Sequence, residues 1–174
     1  IDPFTVFGLF NKGITNANRI AIIGSIAKEF AVEAKVPDNF DGIPVLNNLK
    51  ATFYGFKDDR KEDDIDNIWN VFEAALALAA EDNEENRQEF SKLYDLVHDQ
   101  LCIRWNLTMG LYWIRPYCFI NLDSRNRWYL TNVENMPAEF VEAVKTKINK
   151  LPKAADYLFV KDSCTIALNE GSYD

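Results

Sequence analysis

The sequence predicts a compact all-α domain of about six to eight helices. Apolar residues recur at helical spacing along most of the chain, and no series of alternating apolar and polar residues marks a set of strands. A length of 174 residues with 48% hydrophobic content is enough for one core. We expect a single helical domain over residues 6–174, with "KATFYGF", residues 50–56, as the place for one short strand or irregular segment.

The first five residues, "IDPFT", look like a scar left by an expression vector, and no methionine follows at Val6. We therefore expect residues 1–5 to be vector-derived and residues 6–174 to be a fragment of a larger protein.

The first long helix is predicted by "TNANRIAIIGSIAKEFAVEA", which Thr15 is suited to cap. Its apolar positions at helical spacing are Ile20, Ile23, Ala27 and Phe30. The next stretch, "VPDNFDGIPVLNN", contains two prolines and a glycine and should end this helix. Pro44 could open a short second helix that runs toward Phe53.

The clearest helical pattern is in "DDIDNIWNVFEAALALAAE", where Asp63 can act as the cap and Asp66 lies three residues on. Its apolar stripe consists of Ile65, Ile68, Trp69, Phe72 and Leu76. Asp82 and Glu85 indicate a new helix start. The apolar stripe of this next helix consists of Phe90, Leu93, Tyr94, Val97 and Leu101. Two helices joined by a short acidic turn are expected to form an antiparallel pair.

Residues Trp105–Leu130, "WNLTMGLYWIRPYCFINLDSRNRWYL", predict a helix, a turn and a second helix. Pro116 should end the first helix after Arg115, and Asp123 is positioned to cap "SRNRWYL". Two further helices are opened by Pro137 and Pro152, and Gly171 should end the last one.

The formal net charge of −8 argues against a protein that coats nucleic acid without specificity, but the charge is unevenly distributed along the chain. Residues 57–89 contain twelve acids and four bases, whereas residues 102–130 contain four arginines and one acid, Asp123. No apolar run is long enough to span a membrane and no secretion signal opens the chain, so a cytoplasmic location is expected.

Signatures of catalysis and metal binding are few. The phosphate-binding, nucleophile-elbow and dinucleotide-binding glycine motifs are all missing, so no enzymatic activity and no cofactor are expected. Cys102, Cys118 and Cys164 have no CxxC spacing and are interpreted as reduced thiols rather than metal ligands. The acidic run around residues 58–66 lacks the glycine and terminal glutamate of a calcium loop, and no metal site is predicted.

One group of side chains does fit a ligand. Arginine side chains and an aromatic ring are concentrated around a predicted helix start. The helix start and the guanidinium groups favour binding of phosphate oxygens, and the ring can stack on an unpaired base. The candidate nucleic-acid-binding residues are Arg104, Arg115, Arg125, Asn126, Arg127 and Trp128. The alternative is a purely architectural segment, in which the apolar residues form core and Asp123 pairs with an arginine inside the fold.

Several phrases of the sequence also resemble a known family. These are "FNKGITNANRIAII", "FDGIPVLNN", "DDIDNIWNVFEAAL" and the Trp105–Leu130 segment, and the resemblance covers nearly all of Val6–Asp174. They are similar to the region that precedes the AAA+ motor in McrB-type proteins, the GTPase subunits of modification-dependent bacterial restriction systems that defend against phage. In that family the motor hydrolyses GTP, and a separate McrC-type subunit cuts DNA.

The resemblance implies a non-catalytic module that recognises double-stranded DNA, possibly modified, and works with an AAA+ motor and a McrC-type nuclease. Well-known target-reading domains of the family are β-rich or mixed and flip a base, whereas this chain is helical, so base flipping is not carried over. The alternative is a helical adaptor that docks on the motor or a partner subunit, marked by an exposed apolar patch that includes Phe7, Phe10, Tyr54 or Phe56.

Overall fold

The computed structural model describes residues 1–9, 13–41 and 52–170, and within them the fold is all-α. Eight helices lie in these residues, and no strand does. They are α1 (Pro3–Leu9), α2 (Asn16–Glu29), α3 (Asp64–Ala80), α4 (Glu84–Val97), α5 (Asn106–Ile114), α6 (Ser124–Leu130), α7 (Ala138–Lys145) and α8 (Ala154–Glu170). The predicted fold class is confirmed, and residues 52–56 are irregular rather than a strand.

Helix α1 belongs to the packed core. The Asp2 carboxylate accepts the Thr5 amide at 2.9 Å and the Thr5 hydroxyl at 2.5 Å, which closes the first turn of the helix. Phe4 is fully buried, and α1 packs against α5 and α3. The vector origin of residues 1–5 stays a prediction, but the side chains of Asp2 and Phe4 are integral to the fold.

Helix α2 begins as the sequence predicts, because the Thr15 hydroxyl oxygen accepts the Asn18 amide at 3.3 Å. Its apolar side is uncovered, which the amphipathic pattern did not predict. The buried residue of α2 is Arg19, and no other helix of the described chain packs against it. The short helix predicted from Pro44 lies outside the described residues.

Helices α3 and α4 pack side by side across a short acidic connection, which confirms the predicted pair. The predicted Asp63 cap is wrong, since its side chain accepts no hydrogen bond from the helix. The predicted buried face of α3 is also partly wrong. Trp69 is 39% exposed, and the face turned to the core is formed by Ile68, Val71, Ala74, Ala75 and Leu78. In α4, Asn83 is the cap, and Phe90, Tyr94 and Val97 are buried as predicted.

The core contains two groups of aromatic rings. Near α1 and α5, the ring centroids of Phe4 and Phe53 lie 5.3 Å apart. Near α4 and α8, Tyr94 stacks on Tyr157 at 5.3 Å, with Phe90 alongside. Burial raises the pKa of both tyrosines above their usual value, as expected for phenols held neutral in an apolar core.

An ion network ties α4 to α8. Arg87 forms ion pairs with Asp82 and with Asp162, the latter at 2.8 Å, and Lys161 reaches both acids. These contacts join the α3–α4 connection to the middle of α8. No helix in the described part of the chain has the length and apolarity needed to cross a membrane.

Candidate nucleic-acid interface

The α5–α6 segment is held by polar contacts within the fold. The buried Thr108 hydroxyl accepts the Leu122 amide at 3.1 Å and donates to the Trp105 carbonyl at 2.9 Å. The Tyr157 hydroxyl donates to the Ile120 carbonyl at 3.0 Å. Because these contacts fix the end of the connector that leads into α6, they hold the start of α6 in one defined position.

Asp123 is the N-cap of α6, as predicted. Its Oδ1 accepts the amides of Arg125 and Asn126 at 2.9 Å each, and its Oδ2 accepts the Asn121 side-chain amide at 3.0 Å. The alternative in which Asp123 pairs with an arginine side chain is therefore wrong. The same contacts show that these two amides of α6 are already hydrogen-bonded and are not free to bind a phosphate.

Arg127 packs within the protein. Its guanidinium carbon lies 3.7 Å from the ring centroid of Trp105, and its Nε is 3.4 Å from the Asp123 carbonyl oxygen. The side chain is only partly exposed. A cation over an indole face stabilises by roughly 0.5–2 kcal/mol. Arg127 therefore fastens α6 to the start of α5.

The outer face of α6 combines a cation with two rings. Arg125, Trp128 and Tyr129 lie at positions i, i+3 and i+4, so they share one side of the helix. Trp128 is 60% exposed and Tyr129 is 44% exposed. Within the described residues Arg125 forms no ion pair. We call these three residues the α6 face.

The other predicted site residues differ in their availability. Asn126 donates its side-chain amide to the Asn121 carbonyl at 2.8 Å, so this donor is used inside the fold. Arg104 is exposed and has a positive φ of 42°, a backbone conformation that disfavours residues other than glycine. Arg115 is exposed and donates to the Ile114 carbonyl at 2.7 Å.

The structure does not gather all four arginines into one cluster. Arg104 directly precedes Trp105 in the chain, and Arg127 of α6 lies over the Trp105 ring. Both arginines are therefore near the N-terminal end of α5. Arg115 follows the C-terminal end of this helix, whose nine residues span about 13 Å. Arg115 is therefore separated from Arg104 by the length of α5.

A shallow apolar groove of about 250 Å³ lies beside α6. Tyr129 and Leu130 of α6 form one part of its lining, and Tyr112, Ile120, Met136 and Leu168 contribute further apolar surface. Tyr129 thus belongs both to the α6 face and to the groove. Tyr129 was not among the predicted site residues, although its spacing from Arg125 indicates a shared side of the helix.

Basic residues continue beyond α6. Residues 102–153 contain eight Lys and Arg against four Asp and Glu, in a chain of net charge −8. Helix α7 packs against α6, and its last turn ends with the exposed Lys145. Lys147 pairs with Asp156 and Lys153 with Asp99, whereas Lys150 is exposed. These four lysines lie within nine residues of the sequence and were not among the predicted site residues.

The remaining polar groups have structural roles. His98 contacts the Asp99 carboxylate through Nδ1 at 2.5 Å and the Leu151 carbonyl through Nε2 at 3.2 Å, which joins the end of α4 to the approach of α8. The three cysteines are free thiols, and burial raises the pKa of Cys164 to about 11. Within the described residues, no group of three or more His, Cys, Asp or Glu side chains could hold a metal ion.

A family model described as "Domain of unknown function (DUF8425)" matches residues 1–166, a range that includes the first five residues. No curated protein and no solved structure matches the chain.

Proposed function

We propose that this chain, which belongs to the DUF8425 family, is a non-catalytic DNA-binding module that contacts its target through the α6 face and through the exposed Arg104 before α5. The observation that carries the proposal is the pairing of an arginine free of carboxylates with two exposed rings, while the nearest acid, Asp123, is occupied as a helix cap. In the setting suggested by the resemblance to McrB-type proteins, the AAA+ motor and a McrC-type nuclease would supply the catalysis.

Arginine and aromatic residues suit this role for physical reasons. A guanidinium is always charged and presents several donors to a phosphate, and its weak hydration lowers the cost of contact. Each phosphate that a cation neutralises releases condensed counterions, so the affinity falls as salt is added. Arg104 and Arg125 are both exposed and available for such contacts.

The test is a fluorescence-anisotropy titration of labelled duplexes, plain and cytosine-modified, at 100 and 300 mM salt. We expect Arg104→Ala combined with Arg125→Ala to weaken binding at least tenfold and to lower the salt slope by roughly 2, about 1 for each phosphate contact. The matched control is Lys28→Ala combined with Lys92→Ala, which removes the same charge from α2 and α4. Equal losses in the two double variants, or no affinity of the parent chain at low salt, would remove the proposal.

A second candidate function is favoured by a different observation. On α2, Ile22 is 41% exposed, Ile26 39% and Phe30 75%, and no described helix covers them. Exposed apolar surface of this kind marks a protein-docking site more often than chance. We propose on this ground that the chain is a helical adaptor that docks on an AAA+ motor or a partner subunit.

Of the four residues expected in the apolar patch of an adaptor, two are exposed. Phe7 is 39% exposed and Phe56 is 85% exposed, whereas Tyr54 is half-buried beneath Arg60, and Phe10 lies outside the described residues. Light scattering of the chain mixed with the AAA+ motor of an McrB-type protein tests the adaptor function. We expect a complex that is lost on replacing Ile22 and Ile26 by aspartate, and an unchanged mass on mixing the parent chain would count against it.

A further inference from the structure

We infer that the α6 face binds single-stranded DNA in preference to duplex. This inference rests on the proposed DNA-binding function and specifies the form of DNA that the surface takes. Three features of the described residues carry it: the two rings, the start of α6 and the apolar groove.

The first feature is the free ring surface of Trp128 and Tyr129. Both rings are exposed, and neither makes a ring contact with another aromatic side chain of the described chain. In a duplex the faces of each base are covered by its neighbours, so a surface ring reaches only groove edges. An unpaired base exposes its whole face, and stacking it on an aromatic ring strengthens binding by roughly tenfold or more.

The second feature is the start of α6, which is poorly suited to reading a major groove. A recognition helix contacts base edges with residues of its N-terminal turn. Here Asp123 places a carboxylate at that end, and the Asn126 amide donates to Asn121 instead of projecting outward. The helix has seven residues and is about 10 Å long, which leaves little length for a groove contact.

The third feature is the groove beside Tyr129. Tyr129 is part of its lining, so a flat ring displaced from Tyr129 meets more apolar surface rather than water. Arg125 lies on the same side of α6 as both rings and is placed to contact the phosphate of a strand whose base stacks there. The arrangement thus offers one cation and two rings on one side of a helix, and an acidic peptide would use only the cation.

The test compares one labelled twelve-nucleotide strand with the same strand as a blunt duplex, at 100 mM salt, by fluorescence anisotropy. We expect the single strand to bind at least tenfold more tightly. Trp128→Leu should weaken single-strand binding about tenfold and leave duplex binding within twofold, because stacking requires an unpaired base. Arg125→Ala should weaken both. Phe30→Leu, an exposed aromatic change on the uncovered end of α2, is the matched control and should alter neither.

The outcomes separate this inference from the function on which it rests. Duplex binding equal to or tighter than single-strand binding would overturn the inference and leave the DNA-binding function standing. A Trp128→Leu variant that is folded by circular dichroism and binds the single strand normally would also overturn it. Displacement of the strand by polyglutamate of equal charge, at equal concentration, would show that charge alone is recognised and would overturn it too. No binding of either DNA at low salt would remove both.

Discussion

Replacing Gly110 by alanine tests how closely α1 and α5 are packed. A Cβ atom at this position would lie 2.8 Å from Cγ and Cδ1 of Phe4 and 3.0 Å from Cε1 of Phe53. Both phenylalanines are fully buried, and their rings are already in contact with each other. The added methyl group therefore has no space to occupy unless a core ring moves.

Two opposing effects set the magnitude. Alanine is favoured over glycine inside a helix by about 1 kcal/mol, and this term alone would raise the stability. Overpacking a core costs roughly 1–3 kcal/mol, and the rigid rings of Phe4 and Phe53 place Gly110→Ala in the upper part of that range. We expect a net loss of about 1–2 kcal/mol. For a domain of this size, this lowers Tm by roughly 2–8 °C.

The assay is urea unfolding followed by circular dichroism, in a double-mutant cycle with Phe4→Leu. The smaller side chain makes room for the methyl group, so Gly110→Ala should become neutral or stabilising in that background. Gly24→Ala on α2 is the control, because nothing lies within 4 Å of its added Cβ, and it should be stabilising or neutral. If Gly110→Ala stabilises both backgrounds equally, Phe4 does not pack against α5 and the proposed role of the first residues in the core is wrong.

Three further predictions concern the ion network, a thiol and a strained residue. The hydrogen bond from Arg87 holds the pKa of Asp82 below its usual range. At Asp162 burial raises the pKa, but the hydrogen bonds from Arg87 and Lys161 outweigh it and the pKa is lowered. Because these side chains are about a third exposed and screened by solvent, Arg87→Met should destabilise by only about 0.5–1 kcal/mol at pH 7. Chemical denaturation should show this difference shrinking below about pH 4 as both carboxylates are protonated. Cys164 should resist alkylation at pH 8 in the folded chain and react after unfolding, which mass spectrometry would show, since burial raises its pKa to about 11. Arg104→Gly should leave the free energy of unfolding equal or raise it by up to about 1 kcal/mol, because φ of Arg104 is 42°. The affinity for DNA should fall. Lower stability together with unchanged affinity would contradict this prediction.

Helix positions could be predicted because their signals are local. The Thr15 and Asp123 caps are found where the sequence indicates them, and Pro116 follows the end of α5. Each of these residues acts on backbone groups within a few positions, so tertiary contacts are not needed to recognise it. The prediction for Asp63 was wrong because its backbone is helical (φ −86°, ψ −4°), whereas a capping side chain needs an extended residue before the helix.

Burial could be predicted less well, because it depends on which neighbour covers each helix side. The apolar residues of α3 surround much of the helix, so periodicity did not distinguish the buried Val71 from the exposed Trp69. The candidate site shows the same difficulty. Arg125 and Arg127 are two positions apart with the same chemistry, yet Arg127 covers Trp105 and Arg125 faces outward. Only the tertiary contact between Arg127 and Trp105 distinguishes the two arginines.

An acidic chain can bind DNA if its charges are kept apart. The acid-rich residues 57–89 lie in and around α3 and the start of α4, and neither α6 nor α7 packs against α3 or α4 in the described structure. Helices are about 10 Å across, and the Debye length is about 8–10 Å near physiological salt, so the acidic region is largely screened from DNA on the α6 face.

This separation predicts an unusual salt dependence. At 10 mM salt the Debye length is about 30 Å, so the acidic helices should repel DNA that binds at Arg125 as proposed. We therefore expect the affinity to flatten or decline below about 50 mM salt, instead of rising steadily as it does for a uniformly basic protein. Replacing Glu81, Glu84 and Glu85 by glutamine should restore the steady rise, raising affinity at 10 mM but not at 150 mM. Equal gains in affinity at both salt concentrations would mean that these acids lie within direct reach of the DNA. A linear dependence of log affinity on log salt for the parent chain would mean that its negative region does not influence binding at all.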